Sequence, residues 1–458
     1  MAHFDLFVVG GGSGGVACAR RAAGYGARVA LCEDNRVGGT CVIRGCIPKK
    51  LMRYGAAFPD HFRAARGYGW RVEAQHDWGA LIAARDREID RLNGIYIGML
   101  EKAGVQLIRA RGRLTAANAV AAGGETHTAD RILIAVGARP SLPELPGIEH
   151  AITSDEVLEG MGEKPRRLAV IGAGYIGVEL ASILHGLGVE TSLILRRDLP
   201  LRGFDTDLRQ ALVEELRARG LEIRPEITLR AIERTAGGVI VDSSAGRLAY
   251  DAVLYATGRA PIPNTRGIGL EALGVQMEPS GAIEVDADYQ SSVPGIHAVG
   301  DCSDHAGQGL DSGSFDLTPV AIAEGRAIAE RHFNNNPCNV SYESIPTAVF
   351  GIPEAAAVGL TEERAIAFGQ DVVIYRTRFR PLLHTLTDEP TRTMMKLVVD
   401  RRSDRVVGCH MVGDDAAEII QGLAVAMTAG ATKAHFDDTV GLHPTAAEEF
   451  VTMYQATA

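Results

Sequence analysis

Hydrophobic and polar residues follow one another in this chain in a pattern that predicts two similar α/β units and a different C-terminal region. The first unit begins with a short apolar strand pattern at residues 5–9, a run of glycines, and an alanine-rich helical pattern that reaches Tyr25. A second apolar strand pattern, at residues 28–32, ends at the acidic side chain of Glu33. This order of strand, glycine turn, helix and strand is typical of a Rossmann-like unit.

The same order returns in the middle of the chain. Residues 168–171 form a strand pattern that enters a second glycine turn, a helical pattern runs to Leu187, and another strand pattern covers residues 191–195. Each unit closes on an apolar strand followed by Ala-x-Gly or Ala-Thr-Gly, at residues 132–137 and 253–258. The duplication indicates two bound nucleotides rather than one.

The segments around these units have other periods. Residues 78–103 have the spacing of an amphipathic helix, residues 106–127 predict a small β-meander, and residues 131–136 and 296–299 predict apolar strands. The C-terminal region has strand patterns at 372–379, 394–399 and 406–412 and a helical pattern at 415–429, without a nucleotide-type glycine turn. We therefore expect an α/β fold with two Rossmann-like domains and a C-terminal α+β domain. The predicted boundaries are 1–144 and 271–343 for the two parts of the first domain, 145–270 for the second domain, and 344–458 for the last.

Composition narrows the class of protein. A chain of 458 residues exceeds the size of a single core, and its net charge of -10, without a long basic run, argues against nucleic acid as the main partner. No apolar run reaches membrane-spanning length, so we expect no membrane partner. Seven cysteines spread thinly along the chain suggest a reducing, cytoplasmic setting, in which a close cysteine pair is more often catalytic or metal-binding than structural.

The first glycine turn predicts a dinucleotide site. Gly10, Gly12 and Gly15 stand where backbone must approach a pyrophosphate and where helix must pack on strand. Glu33 lies 18 residues beyond Gly15, where a carboxylate can accept hydrogen bonds from ribose hydroxyls.

The second turn, with Gly172, Gly174 and Gly177, predicts a different nucleotide. The residue 18 positions beyond Gly177 is not an acid but Leu195, and a basic stretch follows it, with Arg196, Arg197 and Arg202. Guanidinium groups bind a 2′-phosphate through charge-assisted hydrogen bonds, whereas a carboxylate would repel it. We expect NADP here; the alternative is a solvated basic loop.

Two cysteines carry the candidate chemistry. Cys41 and Cys46 are five positions apart in a turn-rich segment, just before a helix-compatible run that opens at Pro48. So close a pair can form a disulfide that another thiol easily opens, and a helix start stabilises a thiolate. A metal site is the weaker alternative, because no further Cys or His lies nearby in the sequence.

The C-terminal segment supplies a candidate acid–base group. His443 precedes Pro444, and Glu448 falls at the start of the following helical pattern, where its carboxylate can hold the imidazole. Departing thiolates need a proton donor, and this histidine suits that purpose.

The cysteine segment from Gly39 to Lys50 and the segment from His443 to Glu449 resemble the class I pyridine nucleotide–disulfide oxidoreductase family, with the resemblance covering almost the whole chain. Within that family the chain is most similar to the members that reduce glutathione disulfide. The resemblance implies FAD in the first unit, NADPH in the second, and a C-terminal interface domain that forms a homodimer whose active site both subunits share. Glutathione disulfide is then the small-molecule substrate.

The resemblance also implies roles for single residues. Cys46 matches the thiolate next to the flavin, Cys41 the thiol that attacks the substrate, and His443 the acid–base residue that the other subunit contributes, oriented by Glu448. Lys49 and Glu179 match a pair beside the reactive end of the flavin, and Tyr175 matches a lid over the nicotinamide pocket. Further positions match contacts to FAD (Ser13, Gly14, Glu33, Thr40, Gly112, Asp301, Thr318), to NADPH (Ala173, Ile176, Arg196, Arg202, Gly258) and to the substrate (Arg20, Tyr96, Arg326).

Some positions depart from the family pattern. Met99 stands where many relatives have a polar residue in the substrate pocket, and residues 303–316 and 260–265 are longer than the usual connections. The sequence assigns no partner to Cys302 or Cys409. Two other functions remain open, namely a dihydrolipoamide dehydrogenase, which would prefer NAD, and a flavin-binding redox sensor that does not turn over.

Overall fold

The computed structural model describes residues 2–257, 262–304 and 316–457, and the N-terminal part is built on a largely parallel sheet. Its order is β3-β2-β1-β6-β5-β4, with strands and helices as follows. The strands are β1 (His3–Val9), β2 (Val29–Cys32), β3 (Gln106–Ile108), β4 (Arg113–Ala116), β5 (Ala119–Ala122), β6 (Glu125–Ile134) and β7 (Ala138–Arg139), and the helices are α1 (Ser13–Gly24), α2 (Gly39–Arg44), α3 (Cys46–Ala65) and α4 (Trp78–Lys102).

The parallel strands end level with one another. Val9 at the end of β1 is in register with Cys32 on β2 and with Ile134 on β6. The chain segments that leave these three strands therefore meet at one edge of the sheet, the edge at which α/β folds bind ligands. These strands are buried on both faces, as their continuous apolar runs predict.

One predicted element is wrong in part. The predicted meander at residues 106–127 would be antiparallel throughout, but β3 pairs in parallel with β2 and extends the Rossmann-like sheet. Only β4, β5 and β6 form the antiparallel meander. A three-residue strand has no periodicity that could reveal the direction of its pairing, so the sequence pattern could not separate the two arrangements.

The middle of the chain contains the second Rossmann-like unit. A parallel sheet has the order β10-β9-β8-β14, and a three-stranded antiparallel sheet, β11-β12-β13, stands beside it. The elements are β8 (Arg167–Ile171), α5 (Tyr175–Gly186), β9 (Glu190–Ile194), α6 (Thr206–Ala218), β10 (Glu222–Arg224), β11 (Leu229–Thr235), β12 (Gly238–Ser243), β13 (Gly246–Tyr250), β14 (Ala252–Tyr255), β15 (Ile262–Pro263), β16 (Ile283–Glu284), β17 (Ile296–Ala298), β18 (Ser303–Asp304) and α7 (Thr318–Phe333). Strand β17 pairs with β6 and so returns to the first sheet.

The C-terminal part is an antiparallel sheet in the order β19-β20-β23-β22-β21, with a helix packed on two of its strands. Its elements are β19 (Thr347–Val349), β20 (Glu354–Gly359), α8 (Glu362–Ala367), β21 (Val372–Phe379), β22 (Thr393–Asp400), β23 (Val406–Gly413), α9 (Ala416–Thr428), α10 (Lys433–Asp438) and α11 (Glu449–Thr452). The predicted fold class of two Rossmann-like units and an α+β region is confirmed. In the part of the chain described, every helix is too short or too polar to serve as a membrane span.

Helix α3 lies where the three parts of the chain meet. It packs against α2 and α4 of the first part and against α5 of the second. The contact with α5 is close, because a Cβ atom added at Gly186 would lie 2.6 Å from the carbonyl oxygen of Ala56. Cys46 is the first residue of this helix, so the position of α3 sets the position of the candidate redox centre.

Helices α1 and α7 cross at glycine residues. A Cβ atom on Gly325 would lie 2.4 Å from the carbonyl oxygen of Gly14, and one on Gly14 would lie 3.0 Å from that of Ala321. The obstacles are backbone atoms, which cannot turn away as a side chain can. This crossing holds the start of α7 beside the glycine turn that opens α1.

We predict that Gly325→Ala destabilises the protein, because the methyl group must push the two helices apart, at a cost of about 1–3 kcal/mol. The matched control is Gly94→Ala in α4, where a Cβ atom meets nothing within 4 Å. That change should stabilise the helix by up to about 1 kcal/mol. Thermal unfolding of the purified proteins measures both effects, and a midpoint for Gly325→Ala at or above that of the unmodified protein would contradict the prediction.

Candidate active site

The first glycine turn has the geometry of a phosphate cradle. Gly10 has φ +110°, and a Cβ atom there would lie 2.3 Å from the carbonyl oxygen of Ala135. Helix α1 begins at Ser13 with Gly12 as its N-cap, so no side chain accepts a hydrogen bond from its first amides. The free amides and the positive end of the helix dipole can therefore bind a pyrophosphate. Gly15 packs on Gly10, as the glycine spacing predicts.

Glu33 lies directly beside this turn. Its carboxylate accepts hydrogen bonds from the backbone N–H of Gly11 at 2.7 Å and of Asn35 at 2.8 Å. Burial raises the pKa of Glu33 although these two hydrogen bonds oppose the rise. A carboxylate fixed at the end of β2, beside free helix amides, fits the ribose and pyrophosphate of a dinucleotide such as FAD.

The other residues predicted to contact FAD converge on the same edge. Gly38 donates its N–H to the carbonyl oxygen of Gly11 at 2.8 Å, which brings the start of α2, with Thr40, against the glycine turn. Thr318 begins α7, Asp301 follows β17, and Gly112 packs on the side chain of Cys32 at the end of β2. The sheet topology therefore brings together residues that are far apart in the sequence.

The two candidate redox cysteines are thiols in this structure and differ in their electrostatics. Cys41 lies on α2 and is half-buried, whereas Cys46 is exposed and lies 3.7 Å from the hydroxyl of Thr318. A hydrogen bond from the Cys41 thiol lowers the pKa of Cys46 to about 6, with help from the charge of Lys49, although the surrounding protein atoms partly desolvate the sulfur and oppose the shift. The same hydrogen bond, together with burial, raises the pKa of Cys41. Cys46 is thus the thiolate of the pair at neutral pH, and Cys41 the thiol.

Lys49 is held by a buried carboxylate from the second unit. Its ammonium group lies 2.9 Å from Glu179, whose side chain is 1% exposed. The same carboxylate oxygen accepts a hydrogen bond from the backbone N–H of Phe350 at 2.8 Å. The predicted pair is therefore formed, and it ties α3 to α5 and to the start of the C-terminal part.

The second glycine turn repeats the cradle. Gly172 has φ +147°, and a Cβ atom there would lie 1.9 Å from the carbonyl oxygen of Ala256. Helix α5 begins at Tyr175 after Gly174, again without a side-chain cap, and Ile176 lies in its first turn. Arg196 and Arg202 are both exposed, and neither guanidinium forms an ion pair with the described residues. This fits a nucleotide with an additional phosphate. Gly258, predicted to contact the same nucleotide, lies outside the described residues.

The predicted substrate residues line one cavity. A cavity of about 340 Å³ lies between α1, α4 and α7, and its lining includes Arg20, Tyr96 and Arg326, together with Met99 and Arg21. Burial raises the pKa of Tyr96, and the electrostatic influence of Cys41 adds to the rise, so this tyrosine lies close to the cysteine pair. The lining contains three arginines and no carboxylate. Arg21 is paired with Glu330, so the charges of Arg20 and Arg326 favour an anionic ligand.

His443 and Glu448 form the predicted pair, with the Nδ1 atom of His443 at 3.1 Å from both carboxylate oxygens. The histidine side chain is 81% exposed, and Glu448 is its hydrogen-bond partner in this chain. Among the described residues, no hydrogen bond or ion pair joins His443 or Glu448 to the cysteine segment of the same chain. The imidazole is oriented by a carboxylate and presented outwards, which suits a site on another subunit.

Cys302 and Cys409, to which the sequence assigns no partner, lie in surroundings that make their thiols unreactive. Cys302 and Cys409 are fully buried, and burial raises the pKa of both thiols. The thiolate is the reactive form, so neither residue competes with Cys46 as a nucleophile. In the part of the chain described, no group of three His, Cys, Asp or Glu side chains is arranged to hold a metal ion.

One residue near the site was not predicted. Glu354, 3% exposed, lies 3.1 Å from Arg53 and 3.4 Å from Lys50, both on α3, and accepts a hydrogen bond from the backbone N–H of Ala417 at 3.2 Å. The spacing of Lys50 and Arg53 places both cations on one face of α3, so the sequence does indicate that they could share an acidic partner. The acid that joins them lies some 300 residues away in sequence, and no local pattern identifies it.

The arrangement can carry out thiol–disulfide exchange. An asymmetric cysteine pair lies beside a cationic cavity, at the edge of a dinucleotide cradle, and a second cradle with free arginines lies in the neighbouring unit.

Comparison with known proteins agrees with this geometry. A family model described as pyridine nucleotide-disulphide oxidoreductase matches residues 4–325, and the dimerisation domain of the same family matches residues 345–454. The chain is 49% identical to a glutathione reductase of Nostoc sp., with 98% of this chain and 99% of that protein covered. It is 47% identical to a glutathione reductase of Burkholderia cepacia, with 98% of each chain covered.

A third relative is the chloroplastic/mitochondrial glutathione reductase of Pisum sativum, which is 44% identical over 98% of this chain and 82% of the relative. The family models together span the glycine turns, the cysteine segment and the segment with His443. The chain belongs to the pyridine nucleotide-disulphide oxidoreductase family.

Proposed function

We propose that the protein is a flavoprotein that reduces glutathione disulfide to two molecules of glutathione at the expense of NADPH. The observation that carries the proposal is the pair of unequal cysteines beside a cavity lined by three arginines. The relatives named glutathione reductase support it along nearly the full length of the chain.

The residues present fit both cofactors. The glycine turn at the start of α1, Glu33, Thr40, Gly112, Asp301 and Thr318 would hold FAD, and the second turn with Tyr175, Arg196 and Arg202 would hold NADPH. When bound, the two cofactors would supply the two electrons that open the Cys41–Cys46 disulfide. Lys49 keeps a positive charge beside Cys46, which stabilises the thiolate that results.

The chain's own residues then carry out the exchange. Because its pKa is raised, Cys41 cannot attack until a base removes its proton, and His443 of the second subunit serves as that base. The Cys41 sulfur bonds to one sulfur of the substrate disulfide, that disulfide breaks, and the leaving glutathione thiolate takes the proton back from His443. Glu448 fixes the imidazole for both transfers.

Cys46 completes the cycle. Its thiolate attacks the sulfur of Cys41, the mixed disulfide breaks, and the second glutathione leaves as a thiolate. The disulfide between Cys41 and Cys46 is thereby formed again. The proposed roles agree with the pKa values, because Cys46 is already a thiolate and can attack without a base.

The cavity accounts for the choice of substrate. Glutathione disulfide carries a net negative charge, and Arg20 and Arg326 would bind its carboxylates while Tyr96 packs against its body. Met99 adds an apolar wall to the same cavity. A cationic disulfide would meet the charges of Arg20 and Arg326 and bind poorly, whereas the charge of Arg21 is paired with Glu330.

The proposal includes the organisation of the protein. Residues 1–144 and 271–343 form the FAD-binding domain, a division supported by the return of β17 to the first sheet; residues 145–270 bind NADP, and residues 344–458 form the interface domain. The protein works as a homodimer in the cytoplasm. The exposed orientation of His443 supports an active site completed by the second subunit.

The main test is the specificity of turnover. We expect reduction of glutathione disulfide with NADPH, and Arg196→Ala combined with Arg202→Ala should raise the KM for NADPH by about 100-fold or more, because two charge-assisted hydrogen bonds of about 1.5–3 kcal/mol each are lost and about 1.4 kcal/mol corresponds to a factor of ten. The KM for NADH should hardly change. Steady-state kinetics with both nucleotides measures this.

The matched control is Arg234→Ala, an exposed arginine on β11 of the same unit, which should leave both KM values unchanged. Preference of the unmodified protein for NADH and lipoamide would instead identify a dihydrolipoamide dehydrogenase. Complete absence of turnover with any disulfide would favour a redox sensor.

The second prediction concerns the thiolate. In Cys41→Ser a hydroxyl can still donate to Cys46, whereas in Cys41→Ala the hydroxyl of Thr318 is the side-chain donor that is left, so the pKa of Cys46 should be higher in the alanine variant by about one to two units. The sign follows from the loss of a donor that favours the charged form. A thiolate beside oxidised flavin gives a long-wavelength absorbance, and its pH dependence in the FAD-bound variants reports the pKa of Cys46. Equal pKa values in the two variants would show that the side chain at position 41 does not stabilise the thiolate.

The third prediction concerns the shared site. Homodimers of Cys41→Ser and of His443→Ala should each lose nearly all activity. A mixed dimer has one site with both defects and one site with neither, so mixing the subunits under dissociating conditions should restore activity, up to half of the unmodified value in each mixed dimer. If cysteine and histidine came from the same chain, every site would keep one defect, and no activity would return.

A further inference from the structure

The loop at residues 199–205, which we call the phosphate loop, carries Arg202 between β9 and α6. Its first half is anchored within its own unit. Leu201 donates its backbone N–H to the carbonyl oxygen of Ala173 in the second glycine turn at 2.6 Å. The guanidinium of Arg209 on α6 donates to the carbonyl oxygens of Pro200 at 2.6 Å and Leu199 at 3.1 Å.

The second half of the phosphate loop is anchored by the C-terminal part of the chain. Asp205 is fully buried, and its carboxylate caps α6 by accepting from the N–H of Asp207 at 3.0 Å. The same carboxylate accepts from the ammonium group of Lys396 at 3.0 Å and from the backbone N–H of Glu362 at 3.1 Å. Lys396 and Glu362 belong to the C-terminal part, on β22 and α8.

Lys396 is the centre of this anchor. Its side chain is 1% exposed and also contacts Asp207 and Glu362, each at 2.7 Å. A buried ammonium group needs such partners, and three buried or half-buried carboxylates need a cation in return. Arg376 on β21 forms a further ion pair with Asp207. Loss of the lysine would leave carboxylates facing one another at the base of the phosphate loop.

Arg202 depends on this support. Its side chain is exposed and makes no ion pair with the described residues, so its direction is set by the backbone of the loop alone. The next residue, Gly203, has φ +95° and nothing within 4 Å of a Cβ position, so it adds no side-chain packing to that support. Arg196, by contrast, comes shortly after β9 and does not depend on Asp205 for its place.

We propose that Lys396 is a positioning residue for coenzyme selectivity: acting from the interface domain through Asp205, it holds the loop that presents Arg202 to the 2′-phosphate of NADPH. The inference rests on the proposed function for the role of Arg202. It adds a requirement outside the nucleotide-binding unit, because the preference for NADPH depends on a side chain 191 residues away from Asp205 in the sequence.

The test compares Lys396→Met with Lys433→Met, and both are measured on the full-length, FAD-bound protein. Lys433 is also buried, at 3% exposed, and is paired with Asp437 in the interface domain, without contact to the phosphate loop. Titration calorimetry with NADP⁺ and NAD⁺ gives binding without turnover, and steady-state kinetics gives KM and kcat. We expect Lys396→Met to weaken NADP⁺ binding and raise the KM for NADPH by about 10-fold, the order of one charge-assisted hydrogen bond. In Lys396→Met the affinity for NAD⁺ and the kcat should change by less than about 2-fold. In Lys433→Met the affinities for both nucleotides, the KM for NADPH and the kcat should also change by less than about 2-fold.

A double-mutant cycle with Arg202→Ala tests the route of the effect. If Lys396 acts through Arg202, then Lys396→Met has no further effect on NADP⁺ binding once Arg202 is alanine. Additive effects, an equal loss of NAD⁺ and NADP⁺ binding, or an equal effect of Lys433→Met would overturn the inference.

Two safeguards keep the outcomes distinct. If Lys396→Met does not fold, Asp205→Asn keeps an oxygen that can cap α6 but weakens the contact with Lys396, and the same selective loss of NADP⁺ binding is expected; an unchanged ratio of NADP⁺ to NAD⁺ affinity would overturn the inference. If the unmodified protein binds NADP⁺ but does not reduce glutathione disulfide, the proposed function fails while the calorimetric test of Lys396 still stands.

Discussion

The position of helix α3 is the constraint on which the candidate active site depends. The helix begins with Cys46, and the cations of its first two turns each reach a buried carboxylate in another part of the chain: Lys49 pairs with Glu179, and Lys50 and Arg53 meet Glu354. Removing one partner of such a pair leaves an uncompensated buried charge, which costs about 3–5 kcal/mol. The pairs therefore fix the redox centre relative to the nucleotide-binding unit and the interface region together. Loss of Lys49 would leave Glu179 without a cation, whereas Glu354 would keep one cation if either Lys50 or Arg53 were lost.

The hydrogen bond between the two thiols explains why the cysteines differ. It lowers the pKa of Cys46 and raises that of Cys41, whereas the charge of Lys49 acts to lower both. Cys41 keeps its proton and needs a base. In a pair with equal pKa values either sulfur could hold the negative charge, and the attacking and resolving residues would not be distinguished. In the proposed mechanism the asymmetry reserves Cys46 as the resolving thiolate, and Cys41 then depends on the imidazole of the second subunit.

The sequence was most informative where function depends on the backbone. Both glycine turns, with Gly10 and Gly172 at positive φ, were located by spacing alone, because only glycine tolerates the close approach of the next strand. The cysteine segment and the pair of His443 and Glu448 were found for a similar reason, since their partners lie within a few residues. The strand direction of β3 was not found, because three residues have no period. Lys396 and Glu354 were not found either: a buried ion pair between distant segments leaves no local pattern.

The sequence can therefore predict that a nucleotide is bound, but not how the side chains that select the nucleotide are oriented. Phosphate recognition by free helix amides is a local property, so a short motif suffices to predict that a nucleotide is bound. The direction of an exposed side chain such as Arg202 is not local, because the loop that carries it is anchored by Asp205 to a lysine of the interface region. A motif can therefore be complete in sequence while its selectivity is controlled from another domain. The two proposals give the interface region two roles, in proton transfer through His443 and in the shape of the nucleotide site through Lys396, although this region has no glycine turn of its own.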